Sequence, residues 1–157
     1  MKRWLISAAV VAGVIVSAGP AAAAPPGPVD ATFISSDCGF DVEIHIVGKT
    51  KTIDLGDGRF IVPAPGQEAT LRATASDETV EYVVTGIFFQ QVLEDGSVEV
   101  TATGRNILIR PPNAPTPPDT GIFLTTGNFN FAVDENGDEL RPFAGSGSVV
   151  NICDILA

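Results

Sequence analysis

The chain contains few of the residues that usually carry chemistry. It has one histidine, two cysteines, one tryptophan and one tyrosine among 157 residues. A zinc site built from the usual histidine and cysteine ligands is therefore not expected. The sequence also lacks a Gly-x-Ser-x-Gly motif, a phosphate-binding loop and a dinucleotide-binding fingerprint. We predict no catalytic residue, no metal ligand and no cofactor from the sequence alone.

Basic residues are scarce as well. Nine lysines and arginines stand against 19 aspartates and glutamates, which gives a net charge of −10. Nucleic acids and anionic membrane surfaces both attract proteins that are rich in lysine and arginine. The charge therefore predicts no nucleic-acid partner, and it favours solubility in water.

The beginning of the chain has the three parts of a secretory signal peptide. Two basic residues precede an apolar run from Trp4 to Ala18, and small residues follow. The run has about 15 residues, fewer than the ~20 that a spanning helix needs. Cleavage after Ala23 is favoured, because a cut one residue later would leave Pro25 at the new terminus. We predict a secreted protein, extracellular or associated with the cell envelope; an uncleaved anchor is the alternative.

The predicted organisation is a signal peptide over residues 1–23, a flexible proline-rich leader over 24–31 and one β domain over 32–157. Cleavage leaves about 134 residues, a usual size for one domain. Two of the nine basic residues leave with the signal, so seven stand against 19 acidic residues and the charge becomes −12. We expect no membrane insertion of the cleaved protein, and the sequence leaves its oligomeric state open.

The two cysteines stand near opposite ends of the exported chain. Cys38 and Cys153 are an even pair without Cys-x-x-Cys spacing, and exported proteins form disulfides in oxidising compartments. We predict a structural disulfide between them, contributing on the order of 4–5 kcal/mol in the chain-entropy model. The bond requires the two α-carbons to lie within about 7 Å of each other.

Alternation of apolar and polar residues dominates the rest of the chain. In the clearest case, residues 40–46, every even position is apolar and every odd position is polar. Such a strand buries one face and exposes the other in an antiparallel sheet. The side chains expected to face inward are Phe40, Val42, Ile44 and Ile46, and those expected to face solvent are Asp41, Glu43 and His45.

Further strands follow at short intervals, with Asp-Gly and Asn-Gly turns between several of them. They are predicted over residues 50–55, 59–62, 69–75, 79–85, 87–93, 98–103, 122–133 and 148–155, the last of which contains Cys153. Glycines at Gly86, Gly104 and Gly127 interrupt these strand regions, as at a bulge or a barrel corner. We predict an all-β antiparallel meander closed into a barrel of about eight to ten strands. A two-sheet β-sandwich is the alternative.

Three features come closest to a functional site. His45 lies on the polar face of its strand, and we interpret it as an exposed surface residue. The segment Asp134–Glu139 resembles part of a calcium loop but lacks its glycine at position six and its glutamate at position twelve, so we interpret it as an acidic turn. Residues 111–118 are rich in proline and predict a polyproline-like surface loop. Asp54, Asp57 and Asp95 are interpreted as turn residues in the same way.

The run of residues 38–44 and the segments 48–53 and 103–106, together with Cys153 close to the end, resemble a group of small exported proteins of actinobacteria. The resemblance implies export and a β architecture, and it carries no site residue. A more distant likeness, in topology and glycine-bent strands, is to barrels of the dirigent and allene oxide cyclase type. Such a likeness implies a fold and carries no catalytic residue.

We expect an exported, non-enzymatic β-domain that binds either a small apolar ligand or a cell-surface partner, a protein or a glycan. Phe123, Phe129 and Phe131 share one strand face and could fill the interior or line a cavity. The alternatives are a cofactor-independent isomerase or cyclase-type barrel enzyme and a secreted inhibitor acting through residues 111–118. An empty apolar interior would favour a carrier of small ligands. Polar groups converging in the interior would favour an enzyme, and a filled core would favour recognition at the surface.

We predict that the exported protein begins at Ala24, because the Ala21-Ala22-Ala23 site precedes it and Pro25 disfavours a later cut. Intact-mass measurement on protein from the culture supernatant tests this directly. Retention of the full-length chain in the membrane would contradict the prediction.

Overall fold

The computed structural model describes residues 24–110 and 120–157 and shows an all-β protein, as predicted. Ten strands and one short helix lie within these residues. They are β1 (Gly27–Ser35), β2 (Val42–Thr50), β3 (Ile53–Gly56), β4 (Arg59–Pro63), β5 (Gln67–Ala73), β6 (Thr79–Val84), β7 (Gly86–Val92), β8 (Val98–Arg110), β9 (Gly121–Val133), β10 (Glu139–Asn151) and α1 (Cys153–Leu156).

The strands form two sheets in which every pairing is antiparallel. The four-stranded sheet has the order β1-β2-β5-β6, and the six-stranded sheet has the order β10-β9-β8-β7-β4-β3. The pairings of β2 with β5 and of β4 with β7 join strands that are not consecutive, so the order is not a simple meander. No ladder among the described residues joins the ends of either sheet. The closed barrel is therefore not confirmed, and the sandwich alternative fits.

The main core lies between the four-stranded sheet and one half of the six-stranded sheet. Val42 and Ile44 are completely buried there, and Phe40 and Ile46 pack against the same cluster. The facing predicted from the alternation of residues 40–46 is thus confirmed. The other members of the core come from β5, β6, β8, β9 and the C-terminal helix, and include Ala69, Leu71, Ala73, Val84, Ile107, Ile109, Ile122, Leu124, Ile152 and Leu156.

A row of four glycines crosses the six-stranded sheet, and we call it the glycine crease. Gly86 pairs with Gly104, Gly104 with Gly127, and Gly127 with Gly147. A Cβ on Gly104 would lie 2.6 Å from the carbonyl oxygen of Thr85. Three of the four have positive φ, a conformation that other residues rarely adopt. Only glycine therefore allows the neighbouring backbones to approach this closely, and the sheet bends along this row.

The bend brings opposite ends of the long strands together. Arg110 ends β8, whereas Glu139 pairs with Val133, which lies opposite Val98 at the start of β8. Straight strands would separate these two ends by about 40 Å. Instead, Nε of Arg110 lies 3.0 Å from a carboxylate oxygen of Glu139. The strands β8, β9 and β10 therefore curve around a concave face.

Phenylalanine side chains pack against one another on this concave face. Phe143 packs edge-on against Phe123 and Phe129, with ring centroids 5.4 Å and 6.0 Å away. Phe123 and Phe129 are both buried. The sheet thus encloses a second, smaller core within its own curve, in addition to the core that it shares with the four-stranded sheet.

The predicted disulfide is confirmed, while two details of the chain near its cysteines need correction. The α-carbons of Cys38 and Cys153 lie 5.2 Å apart in a bond that spans 115 residues. Cys153 begins the helix α1 and is not part of the last strand. Within the predicted leader over 24–31, the residues from Gly27 onward belong to strand β1, because an edge strand can contain Pro28 without losing an essential hydrogen bond.

Replacing Gly127 by Ala is expected to destabilise the fold by about 1–3 kcal/mol or more, because the residue has φ +143° and its Cβ would meet the backbone of Ser146. The matched control is Gly27→Ala, since a Cβ at Gly27 meets nothing within 4 Å. This control should change the free energy of unfolding by less than about 0.5 kcal/mol. Urea unfolding of both variants provides the test, and equal effects would contradict the role of the crease.

Candidate functional site

The clearest candidate site is an open groove on the face of the six-stranded sheet opposite the concave face. We call it the outer groove. Strand register explains its composition, because two rows of side chains cross the sheet side by side. The first row contains Ile61, Phe89, Thr101 and Asn130, and the second contains Arg59, Gln91 and Glu99, with Arg141 and Leu55 at its ends. The groove has a volume of about 260 Å³.

Apolar side chains are exposed within this groove. Phe89 is 41% exposed and Leu55 is 47% exposed, although both residue types are usually buried in the core. Arginine, glutamine, glutamate, threonine and asparagine side chains also line the groove. An exposed apolar cluster with a polar rim is typical of an interaction site on a soluble protein.

The polar side chains of the groove are held in defined positions. The hydroxyl of Thr101 donates to the amide oxygen of Asn130 at 2.7 Å, which leaves the amide nitrogen of Asn130 as a donor. The amide nitrogen of Gln91 donates to the carbonyl oxygens of Asp57 and Val92, which leaves its oxygen as an acceptor. The groove therefore offers fixed hydrogen-bonding groups of both kinds.

Charged side chains lie at the edge of the same groove. Arg141 donates to Glu99 at 3.3 Å, and both side chains are about half exposed. Arg59 is held more loosely, with a guanidinium nitrogen 3.9 Å from a carboxylate oxygen of Asp57. Exposed pairs of this kind stabilise a fold little.

His45 lies away from the outer groove, on the exposed face of the four-stranded sheet. Its Nε2 is 2.9 Å from a carboxylate oxygen of Asp30, and its neighbours in the ladders are Thr32 and Thr70. Both His45 and Asp30 are open to solvent. The structure thus agrees with the interpretation of His45 as a surface residue.

The acidic segment from Asp134 to Glu139 forms the turn before β10. The carboxylate of Asp134 accepts the backbone N–H groups of Asn136 and Asp138, both at 2.8 Å. Asp54 and Asp95 have the same role, accepting backbone N–H groups of Gly56 and Ser97. Within residues 24–110 and 120–157, no group of three or more histidine, cysteine or acidic side chains could hold a metal ion.

A buried ion pair escaped the sequence analysis. The carboxylate of Glu139 accepts hydrogen bonds from two nitrogens of Arg110, and both side chains are almost completely buried. Two more buried polar residues lie on the same face of the ladder: Asn106 donates to the carbonyl oxygen of Thr103, and Thr125 donates to that of Asn106. Arg110 follows the buried Leu108 by two residues. Because alternate residues of a strand share a face, this spacing indicates that Arg110 faces inward as well.

Two predicted segments lie outside the described residues: the signal peptide over residues 1–23 and the proline-rich loop over 111–118. In the described part of the chain, no helix is long and apolar enough to cross a membrane. No protein-family model, no curated protein and no solved structure matches the chain. The outer groove is therefore interpreted from its own geometry.

Acidic conditions should weaken the two aspartate turns. The backbone N–H of Asp138 lowers the pKa of Asp134 from its ordinary value of 3.8, and the Ser97 hydroxyl lowers that of Asp95. A lowered pKa stabilises the fold above the ordinary value, and this contribution disappears as the pH falls through the folded pKa. Carboxyl carbon chemical shifts followed by NMR test the direction. Asp134→Ala should be less stable than the parent at pH 6, with a difference that shrinks below about pH 4.

Proposed function

We propose that this protein is an exported, non-enzymatic β-domain that binds a glycan of the cell surface through the outer groove. The observation that carries the proposal is the exposure of Phe89 beside the hydrogen-bonded pair of Thr101 and Asn130 on the outer face of the sheet. An aromatic ring can pack against the apolar face of a sugar, while amide, carboxylate and guanidinium groups pair with its hydroxyls. The groove offers all of these groups within adjoining rows.

The openness of the groove favours a glycan over a folded protein as the partner. A stable protein interface buries about 1,200–2,000 Å² and has an apolar, well-packed centre. The groove has few exposed apolar side chains. Among its large apolar residues, Phe89 and Leu55 are the ones that are exposed. A chain of sugar rings needs a narrower contact surface than a folded protein does, with polar groups along the length of the groove.

The aromatic cluster on the concave face supports recognition at the surface over an internal apolar ligand. Phe123, Phe129 and Phe143 pack together inside the curve of the six-stranded sheet. Arg110 and Glu139, two charged groups that the described strands place on this face, form a bidentate pair. The isomerase or cyclase alternative would instead require such groups to surround a substrate.

Export is supported by two independent features. The first 23 residues have the pattern of a signal peptide, and the Cys38–Cys153 disulfide is consistent with an extracellular protein. The excess of acidic residues would keep such a domain soluble and away from anionic surfaces. A neutral glycan avoids that repulsion and is therefore the partner that we expect.

Co-sedimentation with purified cell-envelope polysaccharide tests the proposed function. Phe89→Ala should weaken binding by about tenfold, because it removes the stacking surface. The matched control is Val83→Ala, which truncates an exposed apolar side chain on the four-stranded sheet, away from the groove. The control should bind like the parent.

Equal binding by the parent and Phe89→Ala would contradict the role of the groove. Failure of the parent to bind any polysaccharide fraction, with binding to a surface protein instead, would contradict the glycan as partner.

A further inference from the structure

Four strands form the edges of the two sheets, and three of them carry features that block pairing with another chain. Charges, prolines and short length are the usual means of protection. β1 contains Pro28 and Asp30, β3 has four residues, and β6 contains Glu81 with Glu78 just before it. These edges are poor templates for a further strand.

The fourth edge strand, β10, lacks this protection over residues 144–150, which we call the open edge. Its sequence there is Ala-Gly-Ser-Gly-Ser-Val-Val, without charge or proline. All seven residues are exposed, and their only ladder among the described strands is the one to β9. Val149 and Val150 are 44% and 39% exposed. The outward backbone groups of the open edge are thus accessible to a second strand.

The charge distribution favours a second copy of this chain as the occupant. Two copies of the exported chain, each with a net charge of −12, repel each other wherever their acidic surfaces meet. The open edge is a stretch of seven residues without a carboxylate, so two copies can approach there. Beyond its two ends lie Arg141 and Asp154, both exposed. Arg141 bonds to Glu99 within its own copy, and antiparallel pairing centred on Gly147 places it at the same end of the interface as Asp154 of the other copy.

The sizes of the side chains also match in an antiparallel pairing centred on Gly147. In this register Val150 of one copy lies opposite Ala144 of the other, and Val149 lies opposite Gly145. Each valine therefore meets a small residue, and the two serines meet each other. Antiparallel pairing about a two-fold axis is isologous and closes after two copies.

We propose that two copies of the protein associate through their open edges, so that β10 pairs with β10 and the two six-stranded sheets become one continuous sheet. Main-chain hydrogen bonds supply the contact, as in other cases of strand addition. One strand pair makes a small interface, so the association is weak and depends on concentration. The two-fold axis lies perpendicular to the paired strands' sheet, and both copies present the same face on one side.

Sedimentation velocity of the exported protein over a range of concentrations tests the proposal. The parent should form dimers that dissociate on dilution. Ser146→Lys places a charge within the open edge and should abolish dimers at concentrations where the parent forms them. The matched control, Thr32→Lys, makes the same change of charge on the edge strand β1 of the other sheet and should dimerise like the parent.

Circular dichroism confirms that each variant is folded, and Ser148→Lys is the second variant if Ser146→Lys does not fold. Hydrogen exchange should show that protection of the amides of residues 144–150 rises with protein concentration. A parent that stays monomeric at millimolar concentration would overturn the proposal. Dimerisation of folded Ser146→Lys equal to that of the parent, or growth into open-ended oligomers, would overturn it as well.

Discussion

The close approach of four backbone segments at the glycine crease is the constraint on which the rest of the structure depends. A side chain on Gly104 or Gly127 would occupy space that the neighbouring strand already fills. With glycine at these positions, three strands of 13 residues can curve instead of extending as a flat sheet. This curvature encloses the phenylalanines and brings Arg110 to Glu139. A flat sheet would expose the phenylalanines of this face to water, and the fold would lose the free energy that their burial contributes.

The crease also divides the opposite face of the same sheet into two regions with different roles. On one side of it, Ile107, Ile109, Ile122 and Leu124 pack in the core with the four-stranded sheet. On the other side, Thr101 and Asn130 bond to each other at the surface, beside the exposed ring of Phe89. Along β8 the odd-numbered positions therefore change from polar to apolar within a few residues. The position of the outer groove follows from where the four-stranded sheet ends.

Local patterns predicted most of the strands, although they ended β8 at residue 103 and began the last strand at residue 148, and the long-range pairings could not be read from them. Alternation over residues 40–46 predicted correctly which side chains face the core, because alternate residues of a strand always lie on the same face. The choice of β5 as the partner of β2 depends on contacts between distant segments, so the barrel and the sandwich both fitted the sequence. The outer groove was missed for the same reason: its side chains come from separate strands and meet only through register. Strand β1 was not predicted, because the prolines around its start are compatible with an edge strand as well as with a flexible leader.

The disulfide has a further consequence because of where it lies. It joins the turn after the first strand to the helix that follows the last one, and 115 residues separate its two cysteines. Nearly every turn of the domain is therefore inside the loop that it closes. A peptidase that cuts one of these turns produces two fragments that stay covalently linked, with their strands still paired in both sheets. A single cleavage within this loop thus leaves one covalently linked molecule, and separation of the two fragments requires a second cut or reduction of the bond.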